Sequence, residues 1–351
     1  MAKKSNPNEP KLNVNQELKR LKQEGAERLY LLLGPEDYLR EYYLTELKKN
    51  CLPEGEDSFS YRRLNGPEID VQALREAVDA MPFMTERSFV EIRDPDLNRQ
   101  KEPEQVLKLL TTVPDYCTVA LVLPGTYELD GRLKLVKGLR AAARELYFDQ
   151  QSQSALTGWI ARRFAAAGKT IDMDTAQRLI FVSGDLMNRL IPEIEKIAAY
   201  AKGSKVTMED VNAVAIHIPE AVIFEMTDAI AAKEYNNALT ILSELLADKN
   251  NEPIAMLAML GLQMRKLYAA RLAVDRGLGM KYVMETCDAK YDYHARKLMQ
   301  SARGFTPEAL RRAVELCAEA DYRMKSSGED DVEILKETVL RIAAGESHAE
   351  G

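Results

Sequence analysis

Between residues 28 and 148, short apolar runs alternate with segments of helical periodicity, and this alternation restricts the fold more than any other sequence feature. The first run, residues 28–33, is apolar from Leu29 onward and stops at Gly34 and Pro35. Such continuous runs are typical of strands that are covered on both faces, as in parallel sheets. Further strands are predicted at residues 59–64, 88–92, 117–123 and 146–148. Strands that alternate with helices predict a parallel α/β sheet.

The helices between these strands carry start and stop signals. Asp70 is the predicted N-cap of a helix whose apolar face includes Met81, and Pro82 disfavours continuation past that residue. Asp130 is the predicted cap of a helix that runs to Ala143.

After residue 149 the strand signal almost disappears, and helical periodicity dominates. Helices are predicted at residues 155–167, 174–182, 186–200 and 208–215. A second helical block begins at about residue 221, in which Pro253 and Pro307 open helices. The predicted organisation is a tail and helix (1–27), an α/β domain (28–149), a small helical domain (150–217), a second helical domain (218–345) and a polar tail (346–351).

Charge and residue counts exclude several classes of function. Lys and Arg number 48 and Asp and Glu 55, and the net charge of −7 argues against a protein that binds phosphates over its whole surface. The four cysteines and three histidines are scattered, so no metal site is predicted. The longest apolar run, residues 254–262, is about half the length of a membrane-spanning helix. We expect a soluble, cytoplasmic protein without a membrane partner.

An α/β domain followed by two helical domains is the layout of the AAA+ NTPases and their relatives, in which a phosphate-binding loop follows the first strand. Here that loop, residues 34–41, has no Gly-Lys-Ser/Thr motif, and Pro35 removes one N–H donor. Glu36 and Asp37 place negative charge where phosphate would bind. Asp94 and Asp96, after the third strand, are interpreted as turn residues rather than metal ligands. We therefore predict no catalytic residues, no bound cofactor and no intrinsic ATPase activity.

Six short segments carry a family resemblance through their order and spacing along nearly the whole chain. They are residues 30–39, 80–87, 129–134, 184–186 with Glu193, Glu195 and Lys196, 252–253 with Gln263, Arg265 and Lys266, and 321–328. Together they resemble the delta subunit of the bacterial DNA polymerase III clamp loader. Pro82 and Ser327 depart from the commoner residues of that family.

The resemblance implies an AAA+-like α/β domain, a helical lid domain and an all-helical collar domain that joins the other subunits. It implies a protein of the replisome that binds and opens the beta sliding clamp for loading onto primed DNA. Its partners would be the clamp, the gamma/tau motor subunits, the delta-prime subunit and primer-template DNA. The clamp contact carries over to Phe83 and Met84, with Met81 and Pro82 shaping the loop.

A helix after residue 130 is locally basic, although the chain is acidic. Its cations are Arg132, Lys134, Lys137, Arg140 and Arg144. They could contact DNA phosphates or an acidic subunit face, and the alternative is a solvated helix surface. Three tyrosines could similarly stack on bases, but packing between collar helices is the favoured reading: Tyr291, Tyr293 and Tyr322.

Two other functions remain open from the residues alone. One is an active AAA+ NTPase with a divergent site, which the missing lysine disfavours. The other is a helical scaffold that does not contact a clamp, in which Phe83 and Met84 are ordinary core beneath the strand at Phe89.

Overall fold

The computed structural model describes residues 12–52, 59–83, 85–248 and 250–345. These residues form two compact units. The first contains the described residues up to Ser152 together with Leu186–Asn188, and the second contains Gln153–Asp185 and the chain from Arg189 onward. The further division of the second unit into lid and collar domains stays a prediction.

The first unit is built on a five-stranded parallel sheet, which confirms the predicted α/β class. Its strands are β1 (Leu29–Leu33), β2 (Tyr61–Asn65), β3 (Ser88–Arg93), β4 (Cys117–Val122) and β5 (Arg144–Tyr147). They lie in the order β2-β3-β4-β1-β5. Its helices are α1 (Val14–Glu24), α2 (Asp37–Cys51), α3 (Val71–Asp79), α4 (Pro103–Thr111) and α5 (Lys134–Ala142).

Strand β1 is buried on both faces, and it divides the core of this unit into two layers. Leu31 belongs to the layer that includes side chains of α3, α4 and α5. Tyr30 and Leu32 belong to the layer that includes α1 and α2. This two-sided burial explains why the run is apolar without alternation.

Two helix ends in this unit differ from the sequence prediction. Asp70 caps α3 as predicted, but the helix ends at Asp79 and Ala80 is extended. Met81 therefore leaves the apolar helix face and is exposed, consistent with the restriction that Pro82 places on the residue before it. Asp130 does not cap α5, which begins at Lys134; its carboxylate accepts hydrogen bonds from Arg132 instead.

The second unit is helical apart from two short paired strands, which the sequence did not indicate. Its elements are α6 (Gln153–Ala166), β6 (Thr170–Ile171), α7 (Met173–Ser183), α8 (Met187–Tyr200, whose first two residues cluster with the first unit), β7 (Lys205–Val206), α9 (Met208–Val214), α10 (Pro219–Ala231), α11 (Tyr235–Ala247), α12 (Pro253–Asp275), α13 (Met280–Thr286), α14 (Asp292–Ala302), α15 (Pro307–Ser326) and α16 (Asp331–Ala344). One core cluster joins α10 through α16. Pro253 and Pro307 open their helices as predicted.

The described residues contain no helix that is long and apolar enough to cross a membrane. Within the same ranges, no three His, Cys, Asp or Glu side chains are grouped so that they could hold a metal ion. All four cysteines are buried free thiols.

Candidate functional site

The loop after β1 closes on itself. Gly34 has a φ of +105°, and a Cβ at this position would collide with the backbone of Phe148. The Arg40 guanidinium donates to the carbonyl of Gly34 at 2.6 Å and pairs with Asp37 at 2.5 Å. The loop carbonyl and the neighbouring carboxylate are thus satisfied by the chain's own arginine.

Glu36 points into the protein at the same loop. The residue is fully buried, and both of its carboxylate oxygens lie 3.3 Å from the backbone nitrogen of Met187, which donates to them. Met187 is part of Leu186–Asn188, the short segment that clusters with the first unit. A backbone N–H of the protein is therefore directed at this carboxylate, in the loop where a nucleotide phosphate would need N–H donors.

Asp94 and Asp96 lie in a turn, as interpreted from the sequence. Asp94 has a positive φ of 54°. Asp96 accepts hydrogen bonds from the backbone of Asn98 and from the Tyr127 hydroxyl at 2.6 Å. Burial, together with the bond to Asp96, raises the pKa of Tyr127 to about 12.

A buried ion network lies between α2 and the sheet. The Glu91 carboxylate is inaccessible to solvent and receives Lys48 at 2.8 Å, the Tyr61 hydroxyl at 2.9 Å and Arg93. Arg93 also makes two 2.6 Å bonds to Glu41. Burial by itself raises the pKa of Glu91, but the bonds from Lys48 and Arg93 outweigh burial, and the pKa is lowered. The network connects α2 to the beginning of β2.

Large apolar side chains are exposed in the two segments that precede β2 and β3. Met81 is 78% exposed, Phe59 76% and Phe83 59%. The rings of Phe59 and Phe83 meet edge to face, with centroids 5.9 Å apart and an interplanar angle of 88°. We call Phe59, Met81 and Phe83 the apolar tip. The alternative that Phe83 is core beneath β3 is therefore wrong, whereas Met84 lies outside the described residues.

The buried Ser60 side chain holds the two segments of the apolar tip together. Its hydroxyl accepts from the backbone N–H of Phe83 at 2.9 Å and lies 3.2 Å from the carbonyl of the same residue. The Thr85 hydroxyl lies 2.7 Å from Ser60 and 2.9 Å from the carbonyl of Arg87. Arg87 in turn donates to the carbonyl of Ala26 at 2.9 Å. The loop is thus tied to the α/β unit at both ends.

The basic side chains at α5 are largely paired with carboxylates. The pairs are Arg132 with Asp130 at 2.8 Å, Lys134 with Glu104 at 2.9 Å, Arg140 with Glu145 at 3.2 Å and Arg144 with Glu17 at 2.7 Å. Lys137 is exposed. Because neighbouring acids offset most of these cations, the local positive field is smaller than the sequence indicates. Contact with DNA or an acidic subunit face stays a prediction.

Two family models match this chain. Residues 30–148 match the model described as DNA polymerase III, delta subunit, and residues 220–342 match the DNA polymerase III delta subunit, C-terminal domain. The chain belongs to the DNA polymerase III delta subunit family. This result confirms the resemblance drawn from the six sequence segments.

Individual members of the family are similar to this chain over nearly its full length. It is 26% identical to DNA polymerase III subunit delta of Bacillus subtilis, over 92% of this chain and 94% of the relative. It is 23% identical to the probable DNA polymerase III subunit delta of Aquifex aeolicus, over 89% of this chain and 90% of the relative. The fold is similar to that of the Bacillus subtilis DNA clamp loader delta protein, with a TM-score of 0.51 at 24% identity, over 95% of this chain and all of that structure.

The three tyrosines of the delta-family C-terminal helices differ in their environment. The Tyr291 hydroxyl donates to Asp185 at 2.8 Å, and the Tyr293 ring packs against Phe181 with centroids 5.6 Å apart. Tyr322 is 73% exposed. Both contacts are with residues of the range 150–217, so packing between collar helices stays a prediction for Tyr291 and Tyr293, whereas the exposed Tyr322 projects from α15.

Phe59 and Ser60 belong to the candidate site, but the sequence pattern predicts a strand over both residues. They open an alternating segment, whereas β2 begins only at Tyr61. The available signal was the position of Phe59, an aromatic residue directly after the polar residues 54–58. Their partner, Phe83, is 23 residues away from Ser60 in the chain.

Proposed function

We propose that this chain binds the beta sliding clamp through the apolar tip and opens it for loading onto primed DNA. The observation that carries the proposal is the exposure of Met81 and Phe83 on a loop fixed by Ser60. Soluble proteins rarely display several large apolar side chains together unless a partner covers them. Membership in the delta family supports the sliding clamp as that partner.

The tip contributes binding free energy mainly through burial. Covering two large apolar side chains yields about 3–6 kcal/mol before the costs of association are subtracted. The hydrogen bonds to Ser60 hold the backbone of Phe83 in place before binding, which lowers the ordering cost. Methionine adapts its shape, so Met81 and Met84 suit an imperfectly matched pocket.

Clamp opening then follows from a difference in affinity. A protein that binds the sprung conformation of the clamp more tightly than the closed one shifts the equilibrium by that difference and by no more. An interface anchored by a few large side chains can supply such a preference when the pocket changes shape between the two states. The chain acts as a wedge and needs no chemical step.

The energy for the loading cycle is supplied by other subunits in this proposal. The loop after β1 contains Glu36 and Arg40 in place of phosphate-binding groups, which disfavours the divergent NTPase alternative. ATP binding to the gamma/tau motor subunits would therefore control access to the tip. The C-terminal helices would join these subunits and delta-prime in a complex around primer-template DNA.

The test is binding of the full chain to the sliding clamp of the same organism without nucleotide. We expect wild-type binding at micromolar affinity or tighter, and at least a 100-fold loss in Phe83→Ala/Met84→Ala. The matched control is Tyr147→Ala, which removes an aromatic side chain that is 47% exposed in the same unit. Absence of wild-type binding would refute the function, and equal binding by the double variant would place the contact elsewhere.

A second assay separates opening from binding. Clamps closed on nicked circular DNA are mixed with the chain, and their release is followed by gel filtration. We expect faster release with the wild-type chain and none with Phe83→Ala/Met84→Ala at concentrations that saturate wild-type binding. A chain that binds the clamp without accelerating release would be a scaffold rather than an opener.

A further inference from the structure

Phe59 is an exposed aromatic residue that the clamp-binding resemblance does not include. It lies before β2, whereas Met81 and Phe83 lie before β3. These strands are neighbours in the sheet and pair in parallel, with Tyr61 opposite Phe89. The two segments therefore reach the same end of the sheet side by side, and an apolar surface forms from residues that are distant in sequence.

The geometry fixes Phe59 against Phe83. The ring of Phe59 meets that of Phe83 nearly perpendicularly, with centroids 5.9 Å apart, an arrangement that aromatic pairs prefer. The residue that follows Phe59 is Ser60, whose hydroxyl bonds to the backbone of Phe83. Phe59 is nevertheless 76% exposed, so this contact covers only a small part of its ring.

We propose that Phe59 is a second anchor of the clamp-contacting surface and is covered by the clamp together with Phe83; this inference rests on the proposed function. A partner that covers the exposed side of Phe83 approaches the exposed ring of Phe59, because the two ring centroids are only 5.9 Å apart. The partner surface is an apolar region of the clamp that is wide enough to cover both rings. It is not a narrow pocket that accepts only two side chains adjacent in sequence.

The size of the surface favours such a partner over a second copy of this chain. The three side chains of the apolar tip expose about 400 Å² of surface in total, taking roughly 150–250 Å² for a large side chain. A stable protein interface buries about 800 Å² on each partner. The tip is thus suited to be the central anchor of a larger contact and is too small to hold a homodimer by itself.

The affinity experiment compares single variants of the full chain. We expect Phe59→Ala to weaken clamp binding at least tenfold, Phe83→Ala at least as much, and Tyr147→Ala less than twofold. Because Phe59 is exposed, its removal leaves the thermal unfolding midpoint unchanged, and this is measured on each variant. If Phe59→Ala binds like wild type while Phe83→Ala loses affinity, the inference is wrong and the proposed function stands.

A spectroscopic experiment tests direct contact, since Phe59 could act only by supporting Phe83. In Phe59→Trp, 5-fluorotryptophan reports on position 59 by ¹⁹F NMR, and Trp159, the single tryptophan of the chain, supplies a second signal that Trp159→Phe assigns. We expect unlabelled clamp to shift or broaden the signal of position 59. An unchanged signal with bound clamp would overturn the proposal.

Two further outcomes would refute the proposal. If the wild-type chain does not bind the clamp, the function and the inference fail together. If Phe59→Ala instead abolishes self-association in sedimentation velocity and leaves clamp binding intact, the tip is a face between copies of this chain, and the proposal is wrong.

Discussion

Two loops of the first unit differ in how their groups are satisfied. The loop after β1 turns inward, with Glu36 buried against the backbone of Met187 and Arg40 bonded to Gly34. The loop before β3 turns outward and exposes Met81 and Phe83. The first loop satisfies its polar groups with other groups of the protein, whereas the second leaves apolar side chains exposed, and these are the side chains that the proposed clamp contact would cover.

Replacement of Glu36 tests the closed loop most strongly. In Glu36→Ala, the N–H of Met187 loses its acceptor and a small cavity forms, so we expect the free energy of unfolding in urea to fall by about 2–4 kcal/mol. Glu36→Gln keeps an acceptor and should lose less than half as much. Neither variant should bind a fluorescent ATP analogue. A gain of ATP binding in either variant would show that the loop after β1 can hold nucleotide once Glu36 is replaced.

Acid unfolding tests the buried network that connects α2 to the beginning of β2, in which Glu91 contacts Lys48 and Tyr61. The pKa of Glu91 is lower in the folded chain than its ordinary value of 4.5. Its contribution to the free energy of unfolding is about 1.4 kcal/mol for each pH unit by which folding lowers the pKa. This contribution is complete above pH 4.5 and is lost as the pH falls through the folded pKa.

The measurement is the free energy of unfolding in urea between pH 3 and pH 7 for wild type and Glu91→Gln. We expect the variant to be less stable at pH 7, because Lys48 and Arg93 lose their buried anion, and to show a smaller decline below pH 4.5. Equal slopes for the two proteins would contradict the assignment of Glu91 to this decline.

Removal of the Ser60 hydroxyl tests whether the exposed loop before β3 is held in place by its hydrogen bonds. Ser60→Ala deletes the hydrogen bonds to Phe83, and we expect a loss of about 1–2 kcal/mol of stability. Clamp affinity should fall three- to tenfold, because the tip must then be ordered on binding. Ser243→Ala, an exposed hydroxyl on α11, is the control and should change neither quantity. Unchanged clamp affinity in Ser60→Ala would show that the tip needs no anchoring.

Charge reversal at α5 has the smallest expected effect. Because acidic neighbours pair with most of its cations, we expect Lys137→Glu to reduce the affinity of the assembled clamp loader for primer-template DNA less than threefold. Lys281→Glu on α13 is a matched exposed control. A tenfold reduction specific to Lys137→Glu, with a weaker salt dependence, would establish a phosphate contact at this helix.

The α/β class was predictable from local patterns. The run 28–33 predicts a strand covered on both faces, and β1 is buried in that way, although β4 is the central strand of the sheet. Asp70 is a predictable cap because its carboxylate accepts from N–H groups two and three residues later. Such signals depend on residues that are close together in the chain, so they can be recognised in a single sequence.

The candidate site was only partly predictable. The family resemblance predicts Phe83 as a clamp-contact residue, and its exposure agrees with a contact role. The contribution of Phe59 to the apolar tip could not be predicted, because this residue lies beside Phe83 only through the parallel pairing of β2 with β3. Met81 was placed on the helix face that carries Val78, but α3 ends two residues before Met81.

Local sequence patterns were enough to predict the order of strands and helices in the first unit, the absence of a phosphate-binding motif and membership in the delta family. Tertiary structure alone decided which apolar side chains remain exposed and which cations are paired, as in the contact of Arg144 with Glu17 across 127 positions of the chain. The physical reason is that exposure and ion pairing depend on groups brought together by folding, whereas caps, turns and strand runs depend on residues a few positions apart.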